Sequence, residues 1–322
     1  MLRKPVILLI IIIGTSSAAN AQGIRSGPYY QILLMDNPAL SGSEGDGVLR
    51  LSYLNYYPGN RYDLNSARLS YDSYFPGLHG GTAIYLSEDY LGGIINDLRG
   101  GFSYAYFLQA GKDLFINAGL TASVFHRGYN FGNAVLPDQI DPVGGVSFPT
   151  SEVLDNKGST VFDVGAGFLV TSGILMGGFA INHLAEPELS SSAISTVKIK
   201  RQYTFNLSAD FSLNGKAGLK LDPLVLAVNQ GDFFSVGAGA SLEGSNLALN
   251  TVVFGDNGNN LNIQSGFSFK FNVVSVYYNY QFNAITGNSL LPFSLLHQVG
   301  LAFSLTNIEK RKAINTINFP KL

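Results

Sequence analysis

Four histidines, His79, His126, His183 and His297, are the side chains best suited to proton transfer or metal ligation in this chain. Imidazole titrates near neutral pH and serves as a general base or a ligand. Their spacing argues against both roles, because they are far apart and no HExxH, GxSxG or GxxxxGK[ST] motif occurs. Each falls at an expected strand end or turn, where a rim histidine is the simpler reading. His183 and Asp163 lie on neighbouring expected strands, but Ser-His-Asp chemistry needs a serine clustered with them, and such adjacency arises easily by chance. Asp138 and Asp141, in the longest expected loop, could bind calcium together with backbone carbonyls, although two carboxylates are little to hold it and a solvated loop is the simpler reading. Gly165-Ala166-Gly167 and Gly237-Ala238-Gly239 look like phosphate loops only superficially. Both sit inside alternating segments, where glycine leaves room for a plug or relaxes curvature. The chain has no cysteine, which excludes a lipoprotein anchor, disulfides and thiolate metal sites. The residues point to no catalytic constellation, so the expectation is a protein that is not an enzyme and carries no cofactor and no metal.

The elements carrying these residues are strands. Gln202 to Leu213 places Tyr203, Phe205, Leu207, Ala209 and Phe211 on one face and Gln202, Thr204, Asn206, Ser208, Asp210 and Ser212 on the other. Alternate residues of a strand point to opposite faces, so this segment has one apolar and one wet surface. The pattern recurs at Gly101–Gln109, at Asp113–Val124, in Phe267, Phe269 and Phe271 against Ser268, Lys270 and Asn272, and at His297–Leu305. Expected strands run over residues 48–57, 66–75, 80–87, 99–109, 113–125, 160–170, 174–183, 202–213, 217–227, 233–242, 246–254, 261–272, 274–283 and 296–306. The least marked junction is Asn272-Val273-Val274, with no Gly or Pro, and Pro223 interrupts the ninth segment, where it needs a bulge or a rim.

The connections alternate in length. The second, fourth, sixth, eighth and tenth are short, several with the glycine chemistry of tight hairpins. The third, fifth, seventh and thirteenth are longer, near residues 88–98, 126–159, 184–201 and 284–295. An even strand number puts both chain ends on one side, and in outer-membrane barrels that side carries the short turns. The expected fold is therefore all-β, a transmembrane up-and-down antiparallel barrel of about 14 strands with an N-terminal plug-like segment. Composition agrees: charged residues are 13% of the chain, against about 25% in typical soluble proteins. Tyr 17 and Phe 22 suit interfacial aromatics. The net charge of −2 gives no argument for nucleic acid.

Residues 1–21 read as a Sec signal peptide, with Arg3 and Lys4, an apolar run from Pro5 to Ile13 too short to span a bilayer, and Ala19-Asn20-Ala21 before the cut. Residues 22–46 read as a periplasmic or plug segment, 47–306 as the barrel in the Gram-negative outer membrane with lipid around it, and 307–322 as a periplasmic tail. In that tail Lys310, Arg311 and Lys312 could dock a partner or merely keep the end solvated.

At Asn37-Pro38-Ala39-Leu40-Ser41-Gly42, preceded by Tyr29-Tyr30-Gln31, the chain resembles the PorP/SprF family of Bacteroidetes outer-membrane proteins associated with type IX secretion. Gly80-Gly81-Thr82-Ala83-Ile84-Tyr85 with Asp89 and Gly92-Gly93, the hairpin Leu98–Val124, and the basic end Lys310-Arg311-Lys312-Ala313-Ile314-Asn315 resemble the same family in order. The chain departs from it in lacking tryptophan and in having Ile32-Leu33-Leu34-Met35 where the family has an Asn-Pro pair. The resemblance implies a barrel that secretes or tethers large surface proteins, such as gliding adhesins with a C-terminal sorting domain, and that contacts periplasmic secretion and gliding machinery. It marks Asn37, Pro38, Ala39 and Gly42 as the plug motif. The competing expectation is a channel for small hydrophobic molecules similar to the FadL fatty-acid channels, which also combine about fourteen strands with an N-terminal plug.

Overall fold

The computed structural model describes residues 33–45, 47–59, 64–132, 135–141, 145–146, 149–151, 158–191, 196–214, 218–287 and 293–305. The signal segment, residues 22–32 and the tail with Lys310, Arg311 and Lys312 lie outside the described residues.

The wall is built from fourteen antiparallel strands: β1 Gly47–Tyr56, β2 Leu64–Phe75, β3 Gly80–Leu91, β4 Ile95–Gln109, β5 Leu114–Tyr129, β6 Ser159–Ser172, β7 Leu175–Asn182, β8 Gln202–Ala209 continued by Phe211–Asn214, β9 Leu219–Gln230, β10 Phe233–Glu243, β11 Leu247–Asp256, β12 Leu261–Phe271, β13 Val274–Ile285 and β14 Ser294–Leu305. Each pairs with the next, and β14 pairs with β1 from Tyr56↔Leu296 to Gly47↔Leu305. The ladder therefore closes on itself, leaving no continuous sheet edge.

The alternation decides which side faces out. In β8 the burial runs buried–exposed from Gln202 to Ser208. Phe205 is 44% exposed, Phe267 47% and Phe269 37%, while Asn206, Gln264 and Gln298 are buried on the inner face. Leu120, Phe162, Ile84 and Phe271 extend the outward apolar band around the wall. That band matches hydrocarbon, and the polar interior is the one expected inside a barrel spanning a bilayer. Among the described residues no helix is long and apolar enough to cross a membrane.

Connection lengths follow the expected parity with one change. At the rim where β1 begins and β14 ends the turns are tight, as at 173–174 and 272–273. Asn272 takes φ +53°, which supplies the left-handed residue the Asn272-Val273 hairpin needs without glycine. The opposite rim carries the segments 130–158 and 183–201, with short hairpins pairing Ile140–Asp141 with Gly145–Val146 and Glu188–Ser191 with Thr196–Lys198. The third connection, expected to be long, is only residues 92–94, because β3 and β4 stay paired out to Leu91↔Ile95. Gly92 and Gly93, both at positive φ, make that turn. Pro223 lies in β9 beside the point where β8 breaks at Asp210. Proline has no N–H to offer, so the lapse in the neighbouring ladder and the missing donor coincide.

Candidate functional site

The segment before β1 turns into the barrel rather than away from it. Leu33–Asp36 forms a single helical turn and Pro38–Leu40 a 3₁₀ turn between Asn37 and Ser41. Asn37 starts that turn because its Oδ1 accepts from Ala39 N at 3.0 Å, while Pro38 supplies the preset φ of a first helical position. Asn37, Ala39, Leu40 and Ser41 are all buried.

The inner wall is shaped to receive this turn. A Cβ on Gly167 of β6 would overlap Asn37 Oδ1 and lie 2.9 Å from Pro38 Cδ. One on Gly119 of β5 would overlap the Pro38–Ala39 peptide, and one on Gly81 of β3 would overlap Ser41 O. Gly178 of β7 brings Asn37 Nδ2 within 3.0 Å of its Cβ position. At Gly42 two constraints meet: φ is +70°, and an added Cβ would stand 2.6 Å from both Gly81 Cα and Ser73 O.

Polar contacts tie the residues from Asp36 to Glu44 to seven strands. Asn37 Nδ2 donates to Phe168 O at 3.3 Å. Asn117 Nδ2 donates to Ala39 O at 3.3 Å, and Ser103 Oγ lies 2.7 Å from Ser41 Oγ, which itself donates to Pro38 O at 2.8 Å. Asn182 Nδ2 donates to Asp36 O at 2.8 Å and Gln202 Nε2 to Asp36 Oδ1 at 3.1 Å. On the other side Gly42 N donates to Asp72 Oδ2 at 2.9 Å, while Asp72 Oδ1 accepts from Arg50 Nη1 at 2.5 Å. Arg50 also pairs with Glu44 at the end of the turn. A buried carboxylate is tolerated because a guanidinium and a backbone N–H share its charge. Ala39 and Leu40 complete the seat against Leu169 and Met176, with Leu34 and Phe115 packed alongside.

Of the residues singled out in sequence, Asn37, Pro38, Ala39 and Gly42 come together in this turn. Gly167 borders it, but Gly165 lies under Asn182 and Thr121. Gly237 and Gly239 do not touch it. They let Val252 and Phe254 of β11 lie across β10 and form a second lumenal cluster with Leu224, Leu226 and Val228. The anchors Arg50, Asp72, Ser103 and Asn117 have no local signature. Their only signal in the sequence is a polar residue on the inward parity of a strand.

The histidines stay apart. His79 caps the β2–β3 turn at φ +50°. His126 Nδ1 lies 2.7 Å from Thr160 Oγ1, and His297 Nδ1 2.6 Å from Tyr278 OH within strand β14 rather than at its end. His183 Nδ1 does meet Asp163 Oδ2 at 2.6 Å, both buried, and Val164 N donates to the other Asp163 oxygen at 3.0 Å. Among the described contacts no serine hydroxyl completes that pair. Asp138 is occupied by its own loop. Ser151 N donates to it at 2.8 Å with Thr150 Oγ1 at 2.9 Å, and these bonds, the Ser151 amide first, hold its carboxyl below the usual range. The Asp141 side chain lies outside the described residues. Among the described residues no three ligands of metal-binding type cluster.

Among solved structures, the outer membrane protein Omp33 of Acinetobacter baumannii is 8% identical with a TM-score of 0.50, covering 82% of this chain and 100% of its own. The P. putida toluene transporter TodX is 11% identical with a TM-score of 0.48, covering 84% and 93%. CymD, a monoaromatic hydrocarbon channel, is 12% identical with a TM-score of 0.48, covering 86% and 94%. At such identities the likeness concerns the fold alone. No curated protein matches. A family profile described as type IX secretion system membrane protein PorP/SprF matches residues 18–294, most of the chain, from before the first strand through the thirteenth. The chain belongs to the PorP/SprF family of type IX secretion system membrane proteins.

Proposed function

We propose that this outer-membrane component of type IX secretion works by binding, holding large exported surface proteins through a C-terminal sorting domain while its other rim meets periplasmic machinery. The observation carrying this reading is the Asp36–Gly42 segment, seated by contacts to strands from β2 to β8. A barrel with its own chain inside acts as a plugged platform, and the surfaces left for a large partner are its rims. The rim opposite the chain ends offers residues 130–158 and 183–201, each with its own hairpin. The basic residues Lys310, Arg311 and Lys312 belong to the opposite, periplasmic side in this proposal and suit an acidic partner surface.

The second reading, a channel for small hydrophobic molecules, draws on the lumenal cluster of Leu224, Leu226, Val228, Val252 and Phe254. Apolar side chains facing inward in a barrel are what a hydrophobic solute would need. One experiment separates the two. In a strain lacking this gene, the binding reading expects loss of one large surface protein from the cell exterior with normal fatty-acid uptake. Normal surface display with impaired uptake would overturn it in favour of the channel.

A further inference from the structure

We propose that the lumenal mouth formed by β8, β9 and β10 at the short-turn rim is a seat for the chain's own basic tail, Lys310-Arg311-Lys312, which is withheld there from other partners. The register on either side of the break in β8 places Asp210 opposite Asp222, since Ser208 pairs with Leu224 and Phe211 with Leu221. Asp222 in turn lies opposite Ser241, and Lys220 opposite Glu243. These residues have the inward parity: Asp222 and Ser241 are buried, while Val225 and Leu242, of the other parity, are exposed.

Charge singles out this mouth. Like charges directly opposite on one sheet face repel each other. Among the described residues of the mouth, Asp210, Asp222 and Glu243 share one ammonium, Lys220, whose Nζ lies 2.9 Å from Asp210 Oδ2. Lys216, in the adjoining turn, lies outside the described residues, and counting it still leaves an acid in excess. A second observation is independent of charge. Ser241 Oγ is buried without a hydrogen-bond partner, and so is Asn250 Nδ2, which follows it in the same row on β11. Buried polar groups ordinarily find partners. A hydroxyl and an amide left open beside three carboxylates suit a ligand that brings cations together with peptide N–H and C=O groups. A basic peptide has that composition. The Asp36–Gly42 segment does not fill the place, because its polar contact on β8 is Gln202, at the other end of that strand.

The tail is the basic peptide within reach. β14 ends at Leu305, on the rim that carries the β8–β9 and β10–β11 turns, and β10 is four strands away around the wall. Four spacings of about 4.8 Å across a tilted wall make an arc of about 25 Å, and the line across the lumen is shorter. Lys310 to Lys312 stand five to seven residues beyond Leu305. That is about 17–24 Å of extended chain, before the long side chains are counted. An acidic periplasmic surface must then displace the tail from the mouth before binding it. This regulatory consequence rests on the proposed partner role of the tail; the contact itself does not.

The test is disulfide trapping in the purified full-length barrel, which has no cysteine of its own. Ala313→Cys, just past the basic residues, is paired with Ser245→Cys in the exposed β10–β11 turn or, as the control, with Gly77→Cys in the β2–β3 turn. Gly77 has open space around its Cβ position and lies fewer strands from β14 than Ser245 does, so tethering alone favours the control. The proposal expects the Ser245 pair to oxidise within one molecule about tenfold faster than the Gly77 pair, because docking raises the effective concentration. High salt should remove most of that advantage. So should K310Q/R311Q/K312Q, which leaves every residue of the wall unchanged, and E243Q should reduce it. Equal rates for the two pairs, an undiminished advantage in the tail variant, or disulfides formed only between two molecules would overturn the proposal. Loss of cargo display in cells with an empty mouth would leave the binding reading standing and this contact refuted.

Discussion

The side-chain oxygen of Asn37 occupies the place that a Cβ on Gly167 would take. One residue precedes the barrel and the other lies in β6, yet neither could be larger without displacing the other. Similar exclusions at Gly81 and Gly119 make the glycines of the inner wall a mould of the Asn37–Gly42 turn.

Gly167→Ala should therefore lift the turn from its seat while leaving the wall closed. Overpacking of this kind costs about 1–3 kcal/mol. The expected signature is a lower urea midpoint for the unboiled gel band, together with new protease cleavage near residues 37–42. Gly177→Ala, on the outer face of β7, should do neither.

Asp72 joins the turn to the wall through Gly42 N and Arg50. Asp72→Ala leaves a buried guanidinium with Glu44 alone and an amide with no acceptor, at a cost of about 1–3 kcal/mol. Glu44→Ala, with its partner still held by Asp72, should cost less. The order of the two unfolding midpoints checks the assignment.

The outward parity of Phe205 and Phe267 predicts an asymmetry. Phe205→Arg places a charge against hydrocarbon and should destabilise the folded barrel by about 2–4 kcal/mol if the site lies near the midplane. Thr204→Ser, one residue along and facing inward, should be close to neutral. Heat-modifiable migration in lipid vesicles reads both.

Asp138 has its carboxyl held below the ordinary range by Ser151 and Thr150. A depressed folded value means that the ionised form stabilises the loop above the unfolded value of about 3.9, and that this contribution is lost as pH falls through the folded one. Pepsin cleavage within residues 130–158 should thus rise steeply on acidification below about pH 4 in wild type. In Asp138→Asn the loop should be open to pepsin throughout, with little further change.

Strand identity and facing were legible because period-two alternation is local: Tyr203, Phe205 and Leu207 announce their side within one segment. The Asn37-Pro38-Ala39 motif stood out by resemblance and as part of a plug-like segment, while its turn, whose capping chemistry lies in adjacent residues, was not read. The seat was legible only in outline. Gly167 stood out as room for a plug, but the same argument applied to Gly237, where the space is filled by Val252 and Phe254. Distinguishing them requires knowing which strands face each other across the lumen. The third connection was misjudged because Glu88, Asp89 and Asn96 look like loop residues, although they sit in register on paired strands. Arg50, Asp72 and Ser103 were missed because their partners are remote in sequence and meet only when the barrel closes.

The chain has no cysteine, so one engineered pair reports on the seated turn without background. Ser41 and Ser103 face each other with hydroxyls 2.7 Å apart and both buried. In intact outer membranes, Ser41→Cys with Ser103→Cys should oxidise to an intramolecular disulfide in most molecules, seen as a reducible shift on a gel. Two freely alkylated thiols in a barrel that still shows heat-modifiable migration would contradict the placement of the turn inside the wall.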